Sequence, residues 1–288
     1  MEYLIHLAIL VDIYVILGVS LNLVVGFTGL LSVTQAAFYG LGAYVTALLL
    51  VNFGVNFFLA ALGGILLTAL ISLLIGFVLS RFRGDYYALG SFGFNIIIYS
   101  VFLNWQSVTR GPLGIPGIAR PDLFGLNFSD NFSFLLLTLV LALLAFLLAR
   151  WLTTSSFGRV LKAIREDELA LQIFGYRTLH YKLMIFVVSA ALAALAGALF
   201  ASYITFIDPS SFALFESIFI LAIIILGGLA NLKGSVLGAV FLILLPEALR
   251  FVGFPSDIAA QMRQVMYGLI LVILMLYRPQ GLVGEYKL

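Results

Sequence analysis

The chain contains no cysteine and only two histidines, His6 and His180. The first absence excludes a disulfide framework, a thiolate metal site and a cysteine nucleophile. The second leaves no imidazole cluster from which to build a metal centre. Charge is scarce as well: 10% of the 288 residues are Asp, Glu, Lys or Arg, against roughly a quarter in a water-soluble domain. The formal net charge of +2 argues against a nucleic-acid partner. What is present is apolar. Hydrophobic residues make up 63% of the chain and the mean hydropathy is +1.18. No aqueous fold hides so much apolar surface, so the solvent is largely lipid.

Crossing about 30 Å of hydrocarbon at about 1.5 Å per residue takes about 20 apolar residues. Such runs are read at 4–25, 31–51, 56–80, 87–103, 132–150, 183–206, 213–229, 235–252 and 264–278. The short alternating segments of a strand barrel are not seen. The expected fold is all-α: a polytopic transmembrane helical bundle of about 8–10 spans. The first residues lack the positive n-region of a cleavable signal and run straight into a full span, which reads as a retained first helix. Basic residues orient the bundle. If 150–182 is cytoplasmic, alternation puts Arg81, Arg83, Lys233 and the basic residues of 278–287 on that side and the N-terminus outside. Arg110, Arg120, Arg250 and Arg263 then fall outside against the rule.

Two segments, 26–44 and 227–238, are too rich in Gly, hydroxyl and amide groups for lipid-facing helices. Paired Gly-interrupted spans in the two halves of a chain point to broken helices around a transport path; close packing through small residues is the other reading. The candidate path residues are Gly29, Ser32, Gln35, Gly40, Tyr44, Gly227, Gly228, Asn231 and Gly234. Asp12, Glu216 and Glu247 lie in or near spans, where a carboxylate is a functional candidate or a packed acid near an interface. Catalytic constellations are absent. The run 228–235 resembles a phosphate loop but has Leu232 where glycine must precede the lysine, and it is rejected as an ATP site. Two Asn-x-Ser sequons, at Asn127 and Asn131, read as accidental. The loop 104–131 contains Pro112, Pro116 and Pro121 and exceeds what a connector requires. It is expected to be extracytoplasmic, as a docking surface, a gate or a plain connector.

The run 150–182 cannot sit in lipid. It holds six of the fifteen Lys and Arg residues together with Glu166, Asp167 and Glu168. Its helical period puts Phe157, Leu161, Ile164 and Glu168 on one face and Arg159, Lys162, Arg165 and Glu166 on another. Ser155 and Ser156 are candidate N-caps, and Gly175 is placed as a stop. The helix either rests on lipid headgroups or is held by a protein; three consecutive acids favour the protein.

Several stretches together resemble the M-type membrane subunit of bacterial ABC importers for branched-chain amino acids. They include Asn22-Leu with Gly26-Phe-Thr-Gly29-Leu-Leu-Ser32, then Gln35-Ala-Ala-Phe38 and Gly40-Leu-Gly42-Ala-Tyr44. Further on come Arg81-Phe-Arg83-Gly84-Asp-Tyr-Tyr87, Asn104-Trp105, Thr109, Gly111-Pro112, Gly158-Arg159, Ala163-Ile-Arg165-Glu166-Asp167-Glu168, Ala170 and Gly175. Phe186-Val-Val-Ser189, Leu226-Gly227-Gly228 and Arg278-Pro279-Gln-Gly281-Leu complete the series. The Arg-x-Arg-Gly-x-Tyr to Gly-Pro stretch distinguishes the M-type from its H-type partner.

The resemblance implies one transmembrane permease domain over 1–288, with 150–182 as a cytoplasmic coupling loop, in a bacterial or archaeal cytoplasmic (inner) membrane. Its implied partners are an H-type permease subunit, two ABC ATPase subunits and an extracytoplasmic substrate-binding protein, besides membrane lipid. No enzyme chemistry or cofactor is implied in this chain; ATP and magnesium sit on the ATPases. Coupling would fall to Phe157, Gly158, Arg159, Ala163, Ile164, Arg165, Glu166, Asp167, Glu168, Ala170 and Gly175. The helix over 158–175 is expected to move as a near-rigid body, with Phe157, Leu161 and Ile164 as its apolar grip. Against the family's Glu-Ala-Ala, three residues and Gly, only Ala170 and Gly175 match. Other expectations kept open are the same machine with another small polar cargo, such as urea or amides, and a stand-alone ion-coupled transporter.

Overall fold

Lipid offers no hydrogen bonds to a peptide backbone, so apolar runs of this length close their own as helices. The computed structural model describes residues 2–82, 84–123, 126–128 and 130–250, together with 265, 268, 269, 272, 276 and 281–283. The expected span at 264–278, Arg83, Arg263 and the basic segment 278–287 fall wholly or mostly outside that description. So do the side chains of Glu247 and Arg250.

The helices in order are α1 (Glu2–Thr28), α2 (Gln35–Phe53), α3 (Phe57–Leu79), α4 (Asp85–Asn104) and the single turn α5 (Gln106–Thr109). They continue with α6 (Asn131–Thr154), α7 (Ser156–Glu166), α8 (Glu168–Ile173), α9 (Thr178–Ile204), α10 (Leu214–Gly227) and α11 (Leu232–Arg250). The bundle is all-α, as expected. Among the described residues six helices, α1–α4, α6 and α9, are long and apolar enough to cross a membrane. The runs expected as separate spans at 213–229 and 235–252 are α10 and α11, and these are bent against each other by 120°. At about 1.5 Å per residue, the 14 residues of α10 fall short of the hydrocarbon thickness. The pair therefore makes a broken span or a re-entrant hairpin rather than two crossings.

Helices α1, α2 and α9 form the centre, and their packing follows from small residues. A Cβ on Gly42 would overlap the backbone of Ala194, and one on Gly197 would overlap the Tyr39 carbonyl. Hence α2 and α9 touch backbone to backbone, the contact that drives helix association where both phases are apolar. The outer helices bury only a narrow stripe. In α6 that stripe is Phe134, Thr138, Ala142, Ala145 and Ala149, spaced at three and four residues, while Leu139, Leu143, Leu144 and Leu147 stay exposed. In α3 it is Ala60, Ala61, Gly64, Thr68, Ser72 and Gly76.

The long loop is tied down. Its strand β1 (Ile115–Pro116) pairs antiparallel with β4 (Phe206–Ile207), just after α9, and β2 (Asp122–Leu123) pairs antiparallel with β3 (Leu126–Asn127). The backbone N–H groups of Gly117 and Ile118 donate to the Thr205 carbonyl at 3.1 and 3.2 Å. Beyond β4 the chain turns inward. Asp208 caps a short 3-10 turn by accepting from the Ser211 N–H at 3.1 Å. That turn delivers Phe212, fully buried, against the rings of Tyr39, Tyr44, Phe102 and Phe200.

Candidate functional site

One end of the bundle gathers the features that set this chain apart from a plain set of spans. There α1 ends, α7 and α8 project, and the break between α10 and α11 lies. The single helix expected over 158–175 is two helices. Asp167 leaves helical geometry (φ −155°, ψ 100°) and its carboxylate accepts from the Ala170 N–H at 3.0 Å, capping α8. A short acid that competes for backbone donors prefers a cap to a helix interior, so the run of three acids hinges the segment instead of continuing it. Ser155 holds the N-cap position of α7, but its hydroxyl turns back to the Leu152 carbonyl at 2.7 Å. Gly175 stops α8 with φ +85°.

The apolar stripe of α7 faces its own bundle: Phe157, Leu161 and Ile164, expected as the helix's apolar grip, pack within this chain. Leu161 and Ile164 are buried, and Phe157 stacks on Tyr181 with ring centroids 5.4 Å apart. Gly158 is buried, and a Cβ there would meet the Thr153 backbone. Ala163 and Ala170 are half-buried; Arg159, Glu166 and Asp167 are exposed. Exposed apolar surface lies instead on and just beyond α8, at Leu169, Ile173 and Phe174. Glu168 anchors α8 to α9. It pairs with Lys182 at 2.7 Å, accepts from Thr178 Oγ1 at 2.9 Å and from Gln172 Nε2 at 3.3 Å.

Arg165 reaches from α7 into the end of α1 and donates through Nη1 to the Gly26 carbonyl. The last carbonyls of a helix lack partners within it and carry its negative dipole. No basic residue of α1 lies in its own last turn, so α7 supplies the compensating charge. Lys162 adds to it from above the Phe27 ring, 5.7 Å from the centroid.

Four residues before Gly26, Asn22 holds the break between α10 and α11. Its Nδ2 donates to Ser235 Oγ at 2.6 Å and to the Asn231 carbonyl at 3.1 Å, while its Oδ1 accepts from the Ala230 N–H at 3.0 Å. An unwound segment inside a bundle leaves backbone groups that only protein can satisfy, and Asn22 offers both donor and acceptor. The two arms close on bare backbone: a Cβ on Gly227 would overlap the Gly234 carbonyl, and one on Gly234 the Gly227 carbonyl. Residues 282 and 283 return to the same point, donating to the Leu226 and Gly227 carbonyls at 2.8 and 3.1 Å.

A second polar seam surrounds the start of α2, within the bundle. Gln35 donates to Ser20 Oγ, and Ser189 Oγ donates to the Ser20 carbonyl at 2.7 Å. Asn95 Nδ2 donates to the Val33 carbonyl at 2.8 Å and to Ser217 Oγ at 2.6 Å; the Ala36 N–H also reaches Ser217 Oγ, at 2.9 Å. Asn95 Oδ1 is buried with no partner. The carboxylates are engaged as well: Asp12 accepts from Thr138 Oγ1 at 3.0 Å and Glu216 from Tyr14 at 2.6 Å.

Of the nine expected path residues, Gly29 is exposed beside the Arg165 side chain and Asn231 is half-exposed, its Oδ1 capping α11. Ser32, Gln35, Gly40, Tyr44, Gly227, Gly228 and Gly234 are buried. Gly40 lies against Phe102 and Phe212, and Tyr44 stacks on Phe102 at 4.4 Å. Sequence reasoning assigned no role to Ser20, Asn22, Ser91, Asn95, Ser189 or Ser217. The available signal was a small polar residue inside an otherwise apolar span, repeated on four helices. No group of three or more potential metal ligands occurs among the described residues.

Residues 3–275 match the family described as branched-chain amino acid transport system, permease component. The chain is 38% identical to the Escherichia coli high-affinity branched-chain amino acid transport system permease protein LivM, over 96% of this chain and 69% of that protein. Its namesake from Salmonella typhimurium matches to the same extent. The Salmonella typhimurium permease protein LivH is 26% identical, over 94% of this chain and 91% of its own length. No solved structure matches.

Proposed function

The chain belongs to the family of branched-chain amino acid transport system permease components, and on that premise we propose how it works. It is the membrane-spanning permease subunit of an importer for branched-chain or related amino acids, energised by separate ABC ATPase subunits. A second permease of the LivH kind pairs with it, an extracytoplasmic binding protein delivers the substrate, and the assembly sits in the cytoplasmic membrane. This chain contributes no bond-making chemistry. Its part is a two-state rearrangement biased from both sides of the membrane.

The observation that carries this reading is the bond from Arg165 to the Gly26 carbonyl. It ties a projecting helix to the end of α1, and through Asn22, four residues back, to the break between α10 and α11. The ATPase grips the exposed apolar knob of Leu169, Ile173 and Phe174, with Arg159, Glu166 and Asp167 supplying polar contacts around it. Ala163, Ala170, Gly158 and Gly175 shape the elbow. Movement of α7 then drags the end of α1 and the α10–α11 break together. The substrate path runs along the face shared with the second permease. Gly29 and Asn231 border it at the cytoplasmic end, and the buried Ser32, Gln35, Gly40, Tyr44, Gly227, Gly228 and Gly234 frame it from behind. On the far side the loop 104–131 receives the binding protein.

The test is co-purification with the ATPase subunits and the second permease in detergent, comparing the native chain with Ile173→Glu/Phe174→Glu. The native chain is expected to retain the ATPases and the variant to lose them while inserting normally. Equal retention by both would move the joint away from α8, and failure of both would overturn the importer reading.

A further inference from the structure

At the end of the bundle where α7 projects, a cavity of about 340 Å³ opens between α6, α7 and the start of α11. Three cations line it, each from a different element: Arg150 on α6, Lys162 on α7 and Lys233 on α11. Among the described residues no carboxylate lines it. The hydroxyls of Thr153 and Thr154 also line it, but both donate to the Arg150 carbonyl, at 3.1 and 2.8 Å, so attraction there is chiefly ionic. The first turn of α11 adds the positive end of a 19-residue helix dipole. The rest of the wall is apolar, including Phe27 and Phe146.

Its position relative to lipid is marked independently. Beside Arg150, Trp151 is 67% exposed, at the end of the exposed leucine face of α6. Tryptophan of that kind settles at the headgroup level of a bilayer. The cavity therefore combines converging positive charge, an apolar wall and the depth of a phosphate group, the combination by which basic pockets between spans hold acidic lipids.

We propose that this cavity seats the phosphate of an anionic phospholipid, whose acyl chains run along the leucine face of α6. The ionic chemistry would also suit free phosphate, but the apolar wall and the exposed leucines of α6, the helix that carries Arg150, fit a lipid. A lipid bound there bridges α6, α7 and α11, so it braces the joint between the projecting helices and the broken pair.

The test uses the full chain purified in non-ionic detergent, with native mass spectrometry reading the binding of phosphatidylglycerol and of phosphatidylcholine with the same chains. The native protein is expected to prefer phosphatidylglycerol. Arg150→Gln/Lys162→Gln/Lys233→Gln is expected to bind it roughly tenfold more weakly or worse, whereas Arg81→Gln/Arg177→Gln, at the same end but outside the cavity, keeps the native affinity. If the triple variant fails to fold, Lys233→Gln alone, at an exposed residue, must still weaken binding severalfold and Lys233→Arg must restore it. Unchanged binding by the cavity variants, equal loss in the control, or no preference over phosphatidylcholine overturns the proposal. Displacement of the lipid by millimolar inorganic phosphate reassigns the site to the free anion and overturns the lipid assignment.

Discussion

Lys182 Nζ lies 2.7 Å from Glu168 Oε2, and the lysine side chain is only 8% exposed where the glutamate is 25% exposed. The pair binds the small helix α8 to the first turns of α9, and Thr178 and Gln172 complete the lone pairs of the carboxylate.

Removing one partner leaves the other charge poorly solvated, which costs more than removing both. Glu168→Ala should therefore destabilise the chain by about 1–3 kcal/mol, the lower end reflecting the partial exposure of the glutamate. Glu168→Leu/Lys182→Met should lie within about 1 kcal/mol of the native chain. Thermal unfolding in detergent of the two variants distinguishes these outcomes. Equal loss in both would mean that the pair contributes only packing.

Asn22→Leu should unseat the α10–α11 break. It keeps the approximate volume but strands the Ala230 N–H and the Asn231 carbonyl, at about 1–3 kcal/mol for each buried group. The expected result is a fall in detergent stability together with loss of transport. Native stability in this variant would show that water or a neighbouring group takes over those bonds.

Arg165→Ala should separate binding from coupling. Since Arg165 faces α1 rather than the α8 knob, the ATPases should still co-purify, while ATP-driven uptake in proteoliposomes falls roughly tenfold or more, about 1.4 kcal/mol of coupling. Loss of the ATPases along with uptake would place Arg165 in the docking surface instead.

Gly197→Ala should force α2 and α9 apart, because the new Cβ lands on the Tyr39 carbonyl. Backbone against Cβ cannot yield as a flexible side chain does, so a loss of about 1–3 kcal/mol or more is expected. Gly93→Ala, in α4 with open space around it, should be neutral or slightly stabilising. Melting curves of the pair provide the comparison.

The six long helices were legible because each is an apolar run of sufficient length, and their ends fall within about five residues of the expected ones. The glycine-rich segment 227–238 marked a broken helix, but the 120° angle and the merging of two expected spans into one bent pair were not legible. Run length reports how much lipid a segment can face, whereas the break at 228–231 depends on Asn22, some two hundred residues earlier in the chain. The elbow at Asp167 was hidden for a different reason. The helical period of 158–175 continues across it, and a period does not state whether the Asp167 carboxylate stays in register or caps a second helix. Of the expected face of Phe157, Leu161, Ile164 and Glu168, the first three lie on α7 while the elbow carries Glu168 into α8, and an amphipathic stripe does not state which neighbour covers it. Here the answer is the end of the chain's own bundle. The serines and asparagines of the inner seams had no legible role, since a single small polar residue in a span fits packing as well as function.

The long loop between α4 and α6 is fastened to the segment after α9 through main-chain bonds: β1 against β4, and Gly117 and Ile118 against Thr205. Main-chain groups are the same whatever side chains they carry. Under the proposed function, mutation can therefore rewrite the outward side chains of this loop, adapting it to a new delivery protein, without loosening its mooring. Novelty in what the loop would meet is thus inherited separately from the helices to which it is moored.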